Sequence, residues 1–180
     1  MGVNALARLE RDVLAQPGIR IAIVGIGIND IGFAGTPFLP NAPLPTAEAM
    51  MAAYRALVDR AHACGVRVIA ATLTPFAGAL PDTPFADSYW SPVKDRLRHQ
   101  VNDWIRTSGT FDAVVDFDRL LADPARPVQL DPRYDSGDQL HPNDVGNHLM
   151  AEAVDPAVLL GPVETFTHRH SVGPNIAVHA

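Results

Sequence analysis

The chain has 180 residues, of which 47% are hydrophobic and 19% charged, and its net charge is −6. This length and composition predict one globular domain and exclude a disordered or fibrous protein. The negative charge argues against a nucleic-acid-binding protein, and the longest apolar run, residues 21–28, is far shorter than the ~20 residues of a membrane span.

The start of the sequence carries several charged residues, among them Arg8 and Glu10, which interrupt any apolar leader. The sequence as written therefore shows no signal peptide, and we expect a cytoplasmic protein. The lone Cys64 can form no internal disulfide, so no bridge is expected to hold the fold together.

Predicted helices and buried strands alternate along the chain. The predicted helices, each with a cap or apolar residues at helical spacing, cover about residues 4–16, 46–65, 91–109 and 142–154. The predicted strands, each a short apolar run, cover residues 19–25, 66–71 and 111–117. Residues 118–140 are expected to be mostly loop with one short helical turn.

This alternation predicts an α/β fold, in which helices cover both faces of a parallel sheet. Ligands of such open sheets bind beyond the carboxyl ends of the strands. Two long loops, residues 27–45 and 73–90, leave from such ends and are where we expect the site. We expect one domain over residues 1–161 and a tail over residues 162–180, whose end is either a short strand or a disordered extension.

The first candidate motif is Gly27–Asp30, directly after the first strand. A glycine permits a tight turn there, and Asn29 can aim an amide N–H at a developing oxyanion. The alternative is an Asx-turn, in which Asn29 and Asp30 bond only their own main chain.

The second candidate motif is Asp138-Gln139-Leu140-His141-Pro142. An Asp and a His three residues apart can hydrogen-bond, so that the carboxylate fixes the imidazole tautomer and leaves the other ring nitrogen free as a base. The alternative is that Asp138 caps a turn and His141 is an ordinary loop histidine.

In this order the two motifs resemble the third and fifth conserved blocks of the SGNH (GDSL-type) hydrolases, and the resemblance extends over about residues 4–160. It implies a three-layer α/β/α sandwich of the flavodoxin-like SGNH type and a serine hydrolase of small carboxylic esters, with no cofactor. In this family a Ser attacks the acyl carbon. His141 matches its general base, Asp138 the acid that orients the base, and Asn29 an oxyanion donor, while Gly27 and Asp30 support the Asn turn.

The sequence departs from the family at the nucleophile. The family's Gly-Asp-Ser block on its first strand, and the block that supplies an oxyanion glycine, have no match in this sequence. We call Asp138 and His141 the dyad. Among the five serines, Ser136 lies nearest to the dyad in sequence and is the candidate replacement nucleophile.

Without the family's first strand, the strand over residues 19–25 would present an unpaired edge. We therefore expect a homodimer through this edge, or its coverage by residues 175–179 of the tail. Two other readings stay open: a catalytically inactive remnant that acts as a binding or assembly module, and a composite site whose serine comes from another chain or an upstream segment.

No metal site is expected. The histidine pairs His141/His148 and His168/His170 lack the companions and spacing of a zinc site.

Overall fold

The computed structural model describes residues 4–160. Its helices are α1 (Ala5–Leu9), α2 (Ile28–Gly32), α3 (Ala47–Ala63), α4 (Pro92–Thr107), α5 (Phe117–Leu121), α6 (Asp144–Glu152) and α7 (Pro156–Leu160). Its strands are β1 (Ile21–Val24), β2 (Arg67–Ala71), β3 (Ala113–Val115), β4 (Ala122–Asp123) and β5 (Arg126–Leu130). The tail over residues 162–180 lies outside the described residues, as do His168 and His170.

The central sheet is parallel, with the strand order β1-β2-β3. Ile21 pairs with Arg67, and Ile69 pairs with Ala113. β4 and β5 form a separate antiparallel hairpin. The far side of β1 has no strand partner within residues 4–160.

The strand β2 is buried on both faces, because helices cover the sheet on each side. Val68 and Ala70 face the larger core, which α3 and α4 build. Ile69 and Ala71 face a smaller core, against which α6 and α7 pack. Alternate residues of a strand point to opposite faces, so these two cores define three layers. The predicted α/β fold with a parallel sheet is confirmed.

The two long helices begin where the sequence predicts. Thr46 caps α3 by accepting a hydrogen bond from the Ala49 amide at 3.1 Å, and Ser91 caps α4, whose first residue is Pro92. A proline at this position loses nothing, because its missing N–H would have no helical partner. α3 ends at Ala63, Cys64 is its C-cap, and Gly65 follows with a positive φ of 71°.

The structure corrects several short elements. The first helix turns π-helical over Glu10–Leu14, and the third strand is shorter than residues 111–117 because Asp116 caps α5. The predicted loops also contain α2 and the β4–β5 hairpin, and α7 follows the last predicted helix. These elements have two to five residues, too few to show a periodic pattern in the sequence.

No helix within residues 4–160 has the length and apolar character needed to cross a membrane.

Candidate active site

The second motif holds a carboxylate and an imidazole in direct contact. Asp138 Oδ2 lies 2.6 Å from His141 Nδ1. The His141 side chain is 67% exposed, and within residues 4–160 its Nε2 has no hydrogen-bond partner. One ring nitrogen is thus fixed by a carboxylate and the other faces solvent, as a general base requires.

The other carboxylate oxygen of Asp138 also accepts hydrogen bonds. Oδ1 accepts hydrogen bonds from the amides of Leu140 and His141, at 2.9 and 2.8 Å, and from the Ser136 hydroxyl at 3.1 Å. Burial disfavours the carboxylate, but the hydrogen bonds from His141, Leu140 and Ser136 outweigh it and hold the pKa of Asp138 well below its ordinary value. The carboxylate therefore stays ionised and can hold the imidazole of His141 in one tautomer.

The loop that carries the dyad is shaped by local hydrogen bonds. Gln139 adopts a left-handed conformation, with φ 57°, and its amide donates to Asp135 Oδ1 at 2.8 Å. Asn143 caps α6 by accepting from the Gly146 amide at 2.9 Å, and its own amide group donates to the carbonyls of Arg133 and Asp135. The turn between Asp138 and His141 is therefore held from both ends.

Ser136 contacts the carboxylate of the dyad. Its hydroxyl donates to Asp138 Oδ1 at 3.1 Å, and its amide donates to the His141 carbonyl at 3.0 Å. This places Ser136 beside Asp138 rather than in hydrogen-bond contact with the free nitrogen of His141, so its observed contacts are those of a residue that supports the dyad.

The remaining described serines also have their own partners. Ser91 caps α4, the Ser88 hydroxyl bonds the Phe85 carbonyl, and the Ser108 hydroxyl accepts from the Thr110 amide. Within residues 4–160 no serine hydroxyl forms a hydrogen bond with the imidazole of His141.

The first motif forms a tight turn into the short helix α2. Gly27 has a φ of 123°, which an L side chain rarely adopts, and its carbonyl accepts hydrogen bonds from the Asp30 and Ile31 amides. A Cβ on Gly27 would lie 2.7 Å from the Tyr54 hydroxyl. The turn exposes both Asn29 and Asp30.

The Asn29 side chain has one partner, which the sequence did not indicate. Its Oδ1 accepts a hydrogen bond of 2.6 Å from the hydroxyl of the buried Tyr89. Its Nδ2 has no partner among the described residues and remains free to donate. Because Asn29 and Tyr89 are 60 positions apart, no local pattern could have revealed this contact.

The loop between β2 and α4 contacts both motifs. Midway along it, the Leu80 amide donates to the Asp138 carbonyl at 2.8 Å. Near its end, Tyr89 bonds Asn29, and the rings of Tyr89 and Phe76 pack edge to face. One segment thus links the turn of Asn29 to the loop of the dyad.

A cleft of about 620 Å³ adjoins Asn29. Phe33, Phe38 and Phe85 form its apolar wall, and Arg8 and Asp30 add opposite charges. The Phe38 and Phe85 rings each lie 5.5 Å from Phe33. An apolar group can bind beside Asn29, whereas the dyad lies outside the wall of this cleft.

No group of three His, Cys, Asp or Glu side chains within residues 4–160 could hold a metal ion. His148 lies 3.2 Å from Glu152, whereas His141 contacts Asp138, so the two histidines pair with different carboxylates.

Residues 2–149 match the model of the GDSL-like lipase/acylhydrolase family. The chain belongs to this family. No curated protein matches the sequence.

Solved structures of GDSL hydrolases share the fold. The chain is 17% identical to a GDSL-like lipase from Bacteroides thetaiotaomicron, with a TM-score of 0.63, over 86% of this chain and 68% of that one. It is 23% identical to Axe2, an acetylxylan esterase from Geobacillus stearothermophilus, with a TM-score of 0.55, over 83% of this chain and 63% of that one. This chain thus spans about two thirds of the length of each neighbour.

Proposed function

We propose that the chain carries the base and oxyanion side of a site that hydrolyses small carboxylic esters. The observation that carries this proposal is the 2.6 Å contact between Asp138 and His141, with the second imidazole nitrogen exposed, in a member of a lipase and acylhydrolase family.

His141 acts as the general base. Its Nε2 takes the proton of a serine hydroxyl as that oxygen bonds the acyl carbon, and it returns the proton to the alcohol oxygen as the ester C–O bond breaks. Water then repeats the two steps, releasing the carboxylic acid and restoring the serine. Asp138 keeps the imidazole in the correct tautomer and stabilises its cation throughout.

Asn29 stabilises the negative charge that develops on the acyl oxygen. Its free Nδ2 is the donor, and Gly27 and Asp30 shape the turn that presents it. The adjoining cleft, with its phenylalanine wall, receives the apolar part of the ester.

The open edge of β1 supports a composite site, in which an added strand supplies the serine nucleophile. A strand added parallel to β1 would end beside the Gly27–Asp30 turn, because the carboxyl ends of parallel strands meet at one edge of a sheet. A serine at that end would lie next to the oxyanion donor. Ser136 is the alternative nucleophile within the described chain, and its hydroxyl would first have to leave Asp138.

The same edge supports an oligomer or a self-covered monomer. Ile23 is 49% exposed on β1, and an apolar unpaired strand is a template for pairing. A second copy of the chain, or residues 175–179, would cover it.

A catalytically inactive binding module is the second candidate function. It is favoured by one observation, that each described serine hydroxyl has a partner other than the imidazole.

Labelling with an alkyl fluorophosphonate separates these functions, because this reagent modifies an activated serine. We expect one labelled serine, identified by peptide mass spectrometry, in the wild type and in the control His148→Ala, which removes a surface histidine bonded to Glu152. Labelling should disappear in His141→Ala. If the wild-type chain stays unlabelled, a peptide that carries the family's Gly-Asp-Ser block is added. Labelling of the serine of that peptide would show the composite site, and no labelling would favour the inactive module.

A further inference from the structure

Tyr89 is a buried phenol whose hydroxyl points at the candidate oxyanion donor. Its residue is fully buried, and its hydroxyl donates to Asn29 Oδ1 at 2.6 Å. A carboxamide whose oxygen is held in this way must present its nitrogen on the opposite side. The contact therefore decides which end of the Asn29 side chain faces the solvent.

The ring of Tyr89 is itself fixed by packing. Phe33 and Phe76 lie edge to face on it, with centroids at 5.1 and 6.1 Å. Gly32 passes so close that a Cβ there would fall on the ring. The hydroxyl can therefore reach Asn29 from one direction only, and α2 must stay against the ring.

Lys94 ties together the two segments that carry this pair. Its buried ammonium donates to the Gly32 carbonyl in α2 at 2.7 Å and to the Ser88 carbonyl, next to Tyr89, at 2.6 Å. Within residues 4–160 no carboxylate pairs with this ammonium. A buried cation between two carbonyls fixes the distance between α2 and the end of the loop.

The electrostatic surroundings keep the phenol protonated. Burial, followed by the nearby negative charge of Asp30, raises the pKa of Tyr89 to about 12. The hydroxyl thus remains a donor at neutral pH, and Asn29 Oδ1 remains its acceptor.

We propose that Tyr89 is the positioning residue of this site, which holds the Asn29 carboxamide with Nδ2 aimed into the cleft. The proposal rests on the proposed function, in which Asn29 donates to the oxyanion. Tyr89 touches no reacting atom and acts through Asn29 alone.

A double-mutant cycle on ester hydrolysis tests this dependence. Tyr89→Phe keeps the ring and removes the hydroxyl, so we expect kcat to fall about tenfold with KM changed less than about twofold, because a donor is misaligned rather than deleted. In the Asn29→Ala background, Tyr89→Phe should cause no further loss. An equal loss of kcat in both backgrounds would overturn the proposal, because a purely structural role of Tyr89 would lower kcat whether or not Asn29 is present.

A second measurement does not depend on activity. In nitrogen-15 NMR spectra, the side-chain NH₂ of Asn29, assigned with Asn29→Asp, should be rigid in the wild type and mobile in Tyr89→Phe. Tyr134→Phe is the control, since it removes a tyrosine hydroxyl from a ring that packs against Arg133, and it should leave the Asn29 NH₂ rigid.

The two measurements have distinct failures. In one outcome, the wild type shows no hydrolysis while its Asn29 NH₂ is rigid and becomes mobile in Tyr89→Phe. That result refutes the proposed function and leaves the positioning role of Tyr89 standing. An Asn29 NH₂ that is mobile in the wild type, or still rigid in Tyr89→Phe, refutes the positioning role.

Discussion

At the scale of single residues, the site depends on unusual backbone positions next to functional side chains. Gly27 and Gln139 both have positive φ, and each lies within two residues of a proposed functional group, Asn29 or His141. Glycine adopts such a conformation without steric strain, whereas at Gln139 it costs about 1–3 kcal/mol and is kept where the surrounding contacts require it. At Gly27 an added Cβ would also lie 2.7 Å from the Tyr54 hydroxyl.

Gly27→Ala should destabilise the fold by about 1–3 kcal/mol or more, because φ is 123° and the added Cβ would lie 2.7 Å from the Tyr54 hydroxyl. Gly35→Ala is the matched control, since Gly35 has a φ of 70° but open space around its Cβ position. Urea unfolding of both variants measures the difference. Equal losses would show that the close approach of Tyr54 contributes nothing.

The contact between Asp138 and His141 could be predicted from the sequence because both residues lie in one loop. Asp138 and His141 are three residues apart, so the contact needs only a local turn. Tyr89 and Lys94 were missed, because each acts on a segment about 60 positions away, and a buried tyrosine or lysine has no pattern of its own.

At the scale of elements, α4 determines where the chain leaves β2. Asn102 bonds both the amide and the carbonyl of Leu73, at 2.8 Å each, and the buried Arg98 bonds the same carbonyl. Arg98 also pairs with Asp95 and Asp118, which lie in α4 and α5. One face of α4 thus fixes the start of the loop whose end carries Tyr89.

Arg98→Met should destabilise the fold by about 3–5 kcal/mol, because it leaves the carboxylates of Asp95 and Asp118 buried without this cation. The exposed Arg96 is on the same helix, and Arg96→Met should change the free energy of unfolding by less than about 0.5 kcal/mol. Denaturant titrations compare the two. A loss for Arg98→Met as small as that for Arg96→Met would contradict this account of the helix.

The longer elements were predictable from sequence and the shorter ones were not. α3 and α4 have 17 and 16 residues with clear caps, so several local signals agree. The strand predicted to reach Phe117 ends at Val115, because Asp116 bonds the Arg119 amide and the Thr72 hydroxyl and so starts a helix. The Thr72 hydroxyl, which donates to the capping carboxylate, is distant in sequence.

At the scale of the whole molecule, the main feature is the edge of β1 that has no strand partner within residues 4–160. The Arg67 amide bonds the Arg20 carbonyl, so the main-chain groups of Ile21 and Ile23 point away from β2. The end of α7 lies near this side of the sheet, since the guanidinium of Arg67, the pairing partner of Ile21, donates to the Leu159 carbonyl at 2.9 Å.

We predict that this edge is covered in solution. If two chains pair, light scattering should give the mass of a dimer. If the tail covers the edge, hydrogen exchange should show protected Ile21 and Ile23 amides in a monomer, and removal of residues 162–180 should make these amides exchange rapidly. A monomer in which both amides exchange rapidly would contradict both forms of coverage.

Acid should destabilise the molecule through several carboxylates. Burial opposes the charged forms of Asp112, Asp116 and Asp138, but hydrogen bonds from Val68, Arg106 and His141, respectively, help to hold each pKa below its ordinary value. A lowered pKa in the folded state adds stability above the unfolded pKa of about 4, and this stability is lost as the pH falls through the folded value.

The urea midpoint should therefore fall steeply below about pH 4, while these three groups add no change between pH 5 and 7. Asp138→Asn should make the fall shallower. An unchanged midpoint between pH 6 and pH 3 would show that these carboxylates do not stabilise the fold.

Hydrolysis of p-nitrophenyl acetate by the wild type, His141→Ala and His148→Ala shows whether Asp138 and His141 work together in catalysis. The wild type and His148→Ala should release p-nitrophenol, with a loss on the order of 10³-fold or more in His141→Ala, because a general base has been removed. Equal and negligible rates in all three proteins would contradict the claim that Asp138 and His141 form a working catalytic pair in this chain.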